Sequence, residues 1–191
     1  MSKPSLKERY EIAIGDALLR ALGLDAQLIG HGADGVEPDL IYQLAGKRVG
    51  IEIATAYYDN DQARVEWQLA RGELPPDPSG ITKIKSPRDW TGEPYKLIAA
   101  RVQQELDDKC SKSYSGVDAA WLCIEQHAPL ADVSETQRLV SRLKISTGHP
   151  FERIYLGMYA HIGDGGGFRV FDLLSAGSLR MESVDIGVAI Q

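Results

Sequence analysis

The sequence predicts a single α/β domain, and three observations predict it. A capped amphipathic segment opens the chain, two β-rich segments flank a tight turn, and helical and strand-like segments alternate beyond Pro94. The expected order is helix, strand, strand, strand, an irregular insertion, helix, strand, helix, strand, strand. With 191 residues, 43% of them hydrophobic and 25% charged, the chain can bury one core and falls in the ordinary globular class, as one domain over 1–191.

The first helix is expected from Ser5 to Leu22. Ser5 is placed to cap it, with Glu8 at capping-box spacing, and Gly23 ends it. Leu6, Tyr10, Ile14, Ala17, Leu18 and Ala21 recur with helical period. With Glu8 engaged in the cap, Glu11 at the edge of that stripe is the better candidate for a carboxylate aimed into a site.

Leu40–Leu44 and Val49–Thr55 are rich in β-formers and read as a hairpin around Ala45-Gly46. A two-residue loop there sets Leu44 opposite Lys47 and, continuing outward, Asp39 opposite Glu52, with Cβ atoms roughly 5 Å apart. Like charges at that separation are destabilising unless neutralised, and a hard divalent cation with oxygen ligands is a usual solution. A slip of one residue would put the two on opposite faces. Taken singly, Asp39 reads as a strand-entry residue after Pro38 and Glu52 as a partner for Arg48. Taken together, with Glu52 between Ile51 and Ile53, they favour a site.

An irregular insertion spans about 59–93. Asp59-Asn60-Asp61 is placed to cap a short helix running to Arg71, and a proline-rich stretch follows. Lys83, Lys85 and Arg88 form the densest basic patch, which reads either as a solvated loop or as a flap meeting the phosphates of a polyanion. The next helix, Pro94 to Ser111, carries Leu97, Ile98, Val102, Leu106 and Cys110 on its apolar face. Lys109 falls within that face, and Lys112 lies off its edge. Lys109 either snorkels from a helix C-terminus or directs its ammonium at a site on the adjoining sheet. Ala119–Ile124 reads as a buried strand, Ser134–Leu143 as a helix, and Arg153–Tyr159 with Phe168–Leu173 as a closing strand pair. The glycine run before Phe168 has no following helix or P-loop lysine and reads as a hairpin connection.

Composition removes several classes of function. The net charge of −6 argues against a broad basic face, though not against a local basic groove. Cys110 and Cys123 make neither a disulfide framework nor a zinc pattern and are expected as core thiols. His31, His127, His149 and His161 are scattered without ligand spacing; His127 and Glu125 fall together at a strand end. Neither a serine-hydrolase elbow nor a dinucleotide fingerprint is present. No apolar stretch is long enough for a membrane helix and the N-terminus lacks a signal-peptide core, so the expected location is cytoplasmic.

The helix, the strands carrying Pro38-Asp39 and Glu52, and the helix and strand that follow resemble the PD-(D/E)XK nuclease superfamily, which includes restriction endonucleases and Holliday-junction resolvases. The likeness covers roughly the first two-thirds of the chain, on the order of one domain core. It implies a restriction endonuclease-like core, a central mixed sheet flanked by helices. It also implies hydrolysis of phosphodiester bonds with Mg²⁺ or Mn²⁺ held by Asp39, Glu52, the backbone carbonyl of Ile53 and, from the first helix, Glu11. Where the family pattern places a lysine two positions after the Glu, this chain has Ala54. In some members the following helix supplies the missing base, which assigns that role to Lys109, with Lys112 and Lys96 behind it. The implied partner is nucleic acid, DNA ahead of RNA, bound in part by Lys83, Lys85, Arg88 and Lys112; a homodimer would supply two sites for double-strand cleavage. The missing motif lysine and the acidic charge leave a second reading open, a catalytically silent module of the same fold that binds nucleic acid or a protein partner.

Overall fold

In a computed structural model the described residues are 4–57, 63–64, 67–68, 70–73, 94–127, 133–159 and 167–175. Helix α1 (Leu6–Ala21) precedes β1 (Gln27–His31), β2 (Leu40–Leu44) and β3 (Lys47–Tyr57). Then come α2 (Pro94–Cys110), β4 (Ala119–His127), α3 (Val133–Val140), β5 (Arg153–Tyr159) and β6 (Phe168–Asp172). The order agrees with the expectation. Within the insertion, Ala63, Arg64, Trp67, Gln68 and Ala70 are helical.

The six strands form one mixed sheet in sequential order. Strands β1, β2 and β3 pair antiparallel, β3, β4 and β5 pair parallel, and β6 returns antiparallel to β5. The two parallel steps require crossovers, which α2 and α3 provide. Strand β3 runs 11 residues, longer than expected, because its later half pairs with β4 after β2 has ended.

Side-chain alternation divides the core between the two faces. Ile14, Leu18, Leu40, Tyr42, Ile51 and Trp121 belong to the α1 face. On the α2 and α3 face, Val102, Leu106, Leu122, Ile124, Leu139 and Leu156 pack together. Cys123 is fully buried, whereas Cys110 is only partly so. Among the described residues no helix is long and apolar enough to cross a membrane.

Candidate functional site

The hairpin register follows from its turn. Ala45 and Gly46 both adopt positive φ, 47° and 84°, a two-residue geometry that matches strand twist. Leu44 pairs with Lys47, and the ladder continues through Leu40 opposite Ile51. The next residues outward are Asp39 and Glu52. Since Leu40, Tyr42, Ile51 and Ile53 point to α1, Asp39 and Glu52 both point to the opposite face.

Two local features hold Asp39 there. One is Gly50, where a Cβ atom would lie 2.5 Å from the Pro38 ring, so the missing side chain admits Pro38 against the sheet. The other is the Ile53 N–H, which donates to Asp39 Oδ2 at 2.9 Å, continuing the ladder through a side chain after β2 ends. In an extended strand the N–H and C=O of one residue point the same way, so the Ile53 carbonyl lies on the Asp39 side of β3.

Helix α2 delivers Lys109, whose Nζ lies 2.7 Å from Glu52 Oε1, with both side chains largely buried. Burial alone would depress the lysine pKa. The bond to Glu52 and the charges of Glu52 and Asp39 outweigh it and raise the pKa, keeping the ammonium charged. Burial raises the Asp39 carboxyl, and the nearby Glu11 charge adds to that. The Ile53 N–H, Lys109 and Lys7 oppose it without cancelling it.

Helix α1 supplies the third carboxylate. Ser5 and Glu8 form the expected reciprocal capping box, which leaves Glu11 to the interior. Glu11 is 7% exposed and pairs with Lys7 at 3.2 Å. Glu11, Asp39, Glu52, Lys109 and Lys112 line one cleft of about 670 Å³. Lys112 bonds to Asp108 at 3.4 Å on the cleft margin. Arg48, expected as a partner for Glu52, reaches Glu37 instead, at 3.8 Å.

The donor set is oxygen-rich and suits a hard cation. Among the described residues, however, no group of three or more His, Cys, Asp or Glu side chains is drawn together closely enough to hold a metal. Each of the three carboxylates instead has its own counter-group: Lys7 for Glu11, the Ile53 N–H for Asp39 and Lys109 for Glu52. Lys83, Lys85 and Arg88 lie outside the described residues.

Lys7 and Tyr114 are among the cleft-lining residues that sequence reasoning missed. Lys7 had a signal, its four-residue spacing to Glu11 on one helix face. Tyr114 had none, since it sits in the connection after α2. Burial, together with the neighbouring Glu52 carboxylate, raises the pKa of its hydroxyl.

A second polar cluster lies on the α1 face, at the C-terminal ends of β3 and β4. Glu125, fully buried, accepts from the Tyr10 hydroxyl and contacts His127 Nε2 at 3.0 Å. Trp67 packs edge-on to Tyr10, with ring centroids 5.9 Å apart. The pairing of Glu125 with His127 was visible in sequence as a strand-end juxtaposition. Its third member, Tyr10, read only as part of a helical apolar stripe.

No family model, no curated protein and no solved structure matches the chain.

Proposed function

We propose that the protein is a metal-dependent nuclease with a restriction endonuclease-like core, hydrolysing phosphodiester bonds in nucleic acid, DNA ahead of RNA. The observation that carries this reading is the meeting of Asp39 and Glu52 from adjacent strands with Lys109 from α2 in one cleft. Ala54 stands at the motif lysine position, and Lys109 brings an ammonium to the same carboxylate from another element.

Asp39, Glu52, Glu11 and the Ile53 carbonyl would hold Mg²⁺ or Mn²⁺, which when bound supplies Lewis acidity and a lowered pKa for attacking water. Lys109, kept charged by its acidic neighbours, stabilises negative charge developing on the phosphoryl oxygens. Lys7 and Lys112 meet flanking phosphates. Such contacts set position along the strand and leave sequence choice to other groups.

A second reading has one observation in its favour. The lysine and amide counter-groups already satisfy the three carboxylates, as expected of a silent binding module of the same fold. Incubation with supercoiled plasmid, single-stranded DNA and structured RNA in Mg²⁺ or Mn²⁺ separates the two. The expected result is metal-dependent cleavage, lowered about a hundredfold or more in Asp39→Asn and in Lys109→Met. Binding of nucleic acid without cleavage on any substrate would establish the second reading. Equal cleavage by wild type and Asp39→Asn would overturn the site.

A further inference from the structure

The second polar cluster, where α1 meets the C-terminal ends of β3 and β4, places a carboxylate out of reach of water beside a single base. Glu125 is fully buried, and both of its oxygens are engaged. The Tyr10 hydroxyl donates to Oε2, and His127 Nε2 lies 3.0 Å from Oε1. Tyr10 has one proton and commits it to Glu125, so its oxygen accepts from the Thr55 hydroxyl at 3.5 Å. Between Glu125 and His127 the imidazole is the stronger base by about two pKa units, which puts the hydrogen of their bond on Nε2.

The charge of the cluster then depends on the second ring nitrogen. With Nδ1 bare, Glu125 is a buried anion met by two neutral donors. With Nδ1 protonated, the pair as a whole is neutral. Among the described residues His127 is the only basic side chain in contact with Glu125. The other titratable groups around the pair are Tyr10 on α1, Tyr57 on β3, Cys123 on β4 and Tyr159 on β5, three phenols and a thiol that can add no positive charge.

Two effects act on His127, and their sizes differ. Its side chain remains 25% exposed, so it loses only part of its hydration, whereas the Glu125 side chain has lost all of its own. An opposite charge in direct contact favours the ionised base by about 1–3 pKa units, more than partial burial removes. The Tyr57 ring, with its centroid 5.3 Å from that of His127, lies within the roughly 6 Å range of cation–π attraction and acts in the same direction.

We propose that His127 is a proton-controlled latch on α1. As an imidazolium it neutralises Glu125, the buried anchor that holds Tyr10 and its helix to the sheet, and loss of the Nδ1 proton leaves that anchor uncompensated. Because the folded His127 titrates above its unfolded value, the stabilisation is complete below about pH 6.5 and is lost as pH rises through the folded value. The latch involves none of the cleft carboxylates and holds whether or not the cleft is a nuclease site.

The test follows the imidazole Cε1–H signals of the full chain by ¹H–¹³C NMR from about pH 5 to about pH 10, with His127→Gln identifying the His127 signal among the four histidines. The expected result is a His127 midpoint about one unit or more above the ordinary value of about 6.5, returned to that value or below it in Glu125→Gln. Urea unfolding of wild type and His127→Gln gives a second reading that does not require Glu125→Gln to fold. Glutamine keeps an N–H donor for Glu125 and carries no charge. The unfolding constant of His127→Gln relative to wild type should therefore fall about tenfold or more between about pH 5.5 and about pH 9.5. A wild-type His127 midpoint at or below about 6.5, or a ratio of unfolding constants that does not change with pH, would overturn the proposal. A midpoint that stays raised in Glu125→Gln would overturn Glu125 as the partner.

Discussion

Asp39 is held under opposing demands. Burial and the Glu11 charge favour its protonated form, while the Ile53 N–H and two lysines favour the carboxylate, and the first influence prevails. A carboxyl that keeps its proton to higher pH when folded lets the native state bind more protons than the unfolded chain between the two pKa values. Stability therefore falls as pH rises through that window. Asp39→Asn has no charge to bury, and its amide oxygen can still accept from Ile53. The variant is expected to lose activity yet to melt at or above the wild-type temperature at neutral pH. Its advantage should shrink as pH falls from 7 to about 4, the ordinary aspartate value that the folded carboxyl exceeds. Thermal melts of both proteins across that range check this, and a variant less stable at pH 7 than at pH 4 relative to wild type would contradict the assigned direction. Lys109 shows how far a single residue was legible. Its helical phase put it on the buried face of α2, but that phase fits a snorkelling stem as well as an ammonium aimed at Glu52. Only the packing of α2 on β3 distinguishes them.

At the scale of elements, the hairpin register determines the candidate site. Ala45 sits at positive φ, a left-handed conformation that costs an L-residue roughly 1–2 kcal/mol. Replacing Ala45 with Asn, which tolerates that region, should stabilise the protein by about 0.5–1 kcal/mol and raise its melting temperature by about 1–4 °C. Denaturant unfolding gives the comparison, and destabilisation would contradict the turn geometry. Gly50 is the second such position. In Gly50→Ala the new methyl would meet the rigid Pro38 ring at 2.5 Å, so Pro38-Asp39 must move. The expected cost is about 1–3 kcal/mol, with a loss of activity greater than that destabilisation explains. A variant that folds like wild type and cleaves at the wild-type rate would show that Pro38 packing does not hold the acid. The turn was readable because β-formers and a small-residue pair are local signals. The contact of Pro38 with Gly50 was not, because it joins residues across the hairpin that no periodicity links.

Across the whole molecule, one sheet carries two cores, and among the described helices α1 alone packs on one of its faces. Tyr10 ties that helix to the far end of β4 through fully buried Glu125. Tyr10→Phe keeps the ring and its packing on Trp67 but withdraws the hydroxyl from a buried carboxylate. The expected cost is about 1–3 kcal/mol, seen in urea unfolding as a lower midpoint with an unchanged slope. No change in midpoint would mean that Glu125 is satisfied without Tyr10.

The sequence by itself determined the element order, the capped first helix, the hairpin register and the paired phase of Asp39 and Glu52. These rest on local periodicity, turn chemistry and capping, interactions among near neighbours in the chain. Only the tertiary structure decided that Lys109 meets Glu52, that Glu11 shares the cleft and that Tyr114 borders it. Each of those contacts joins separate elements across the sheet. Their geometry follows from packing and crossover paths, which residue order constrains but does not express.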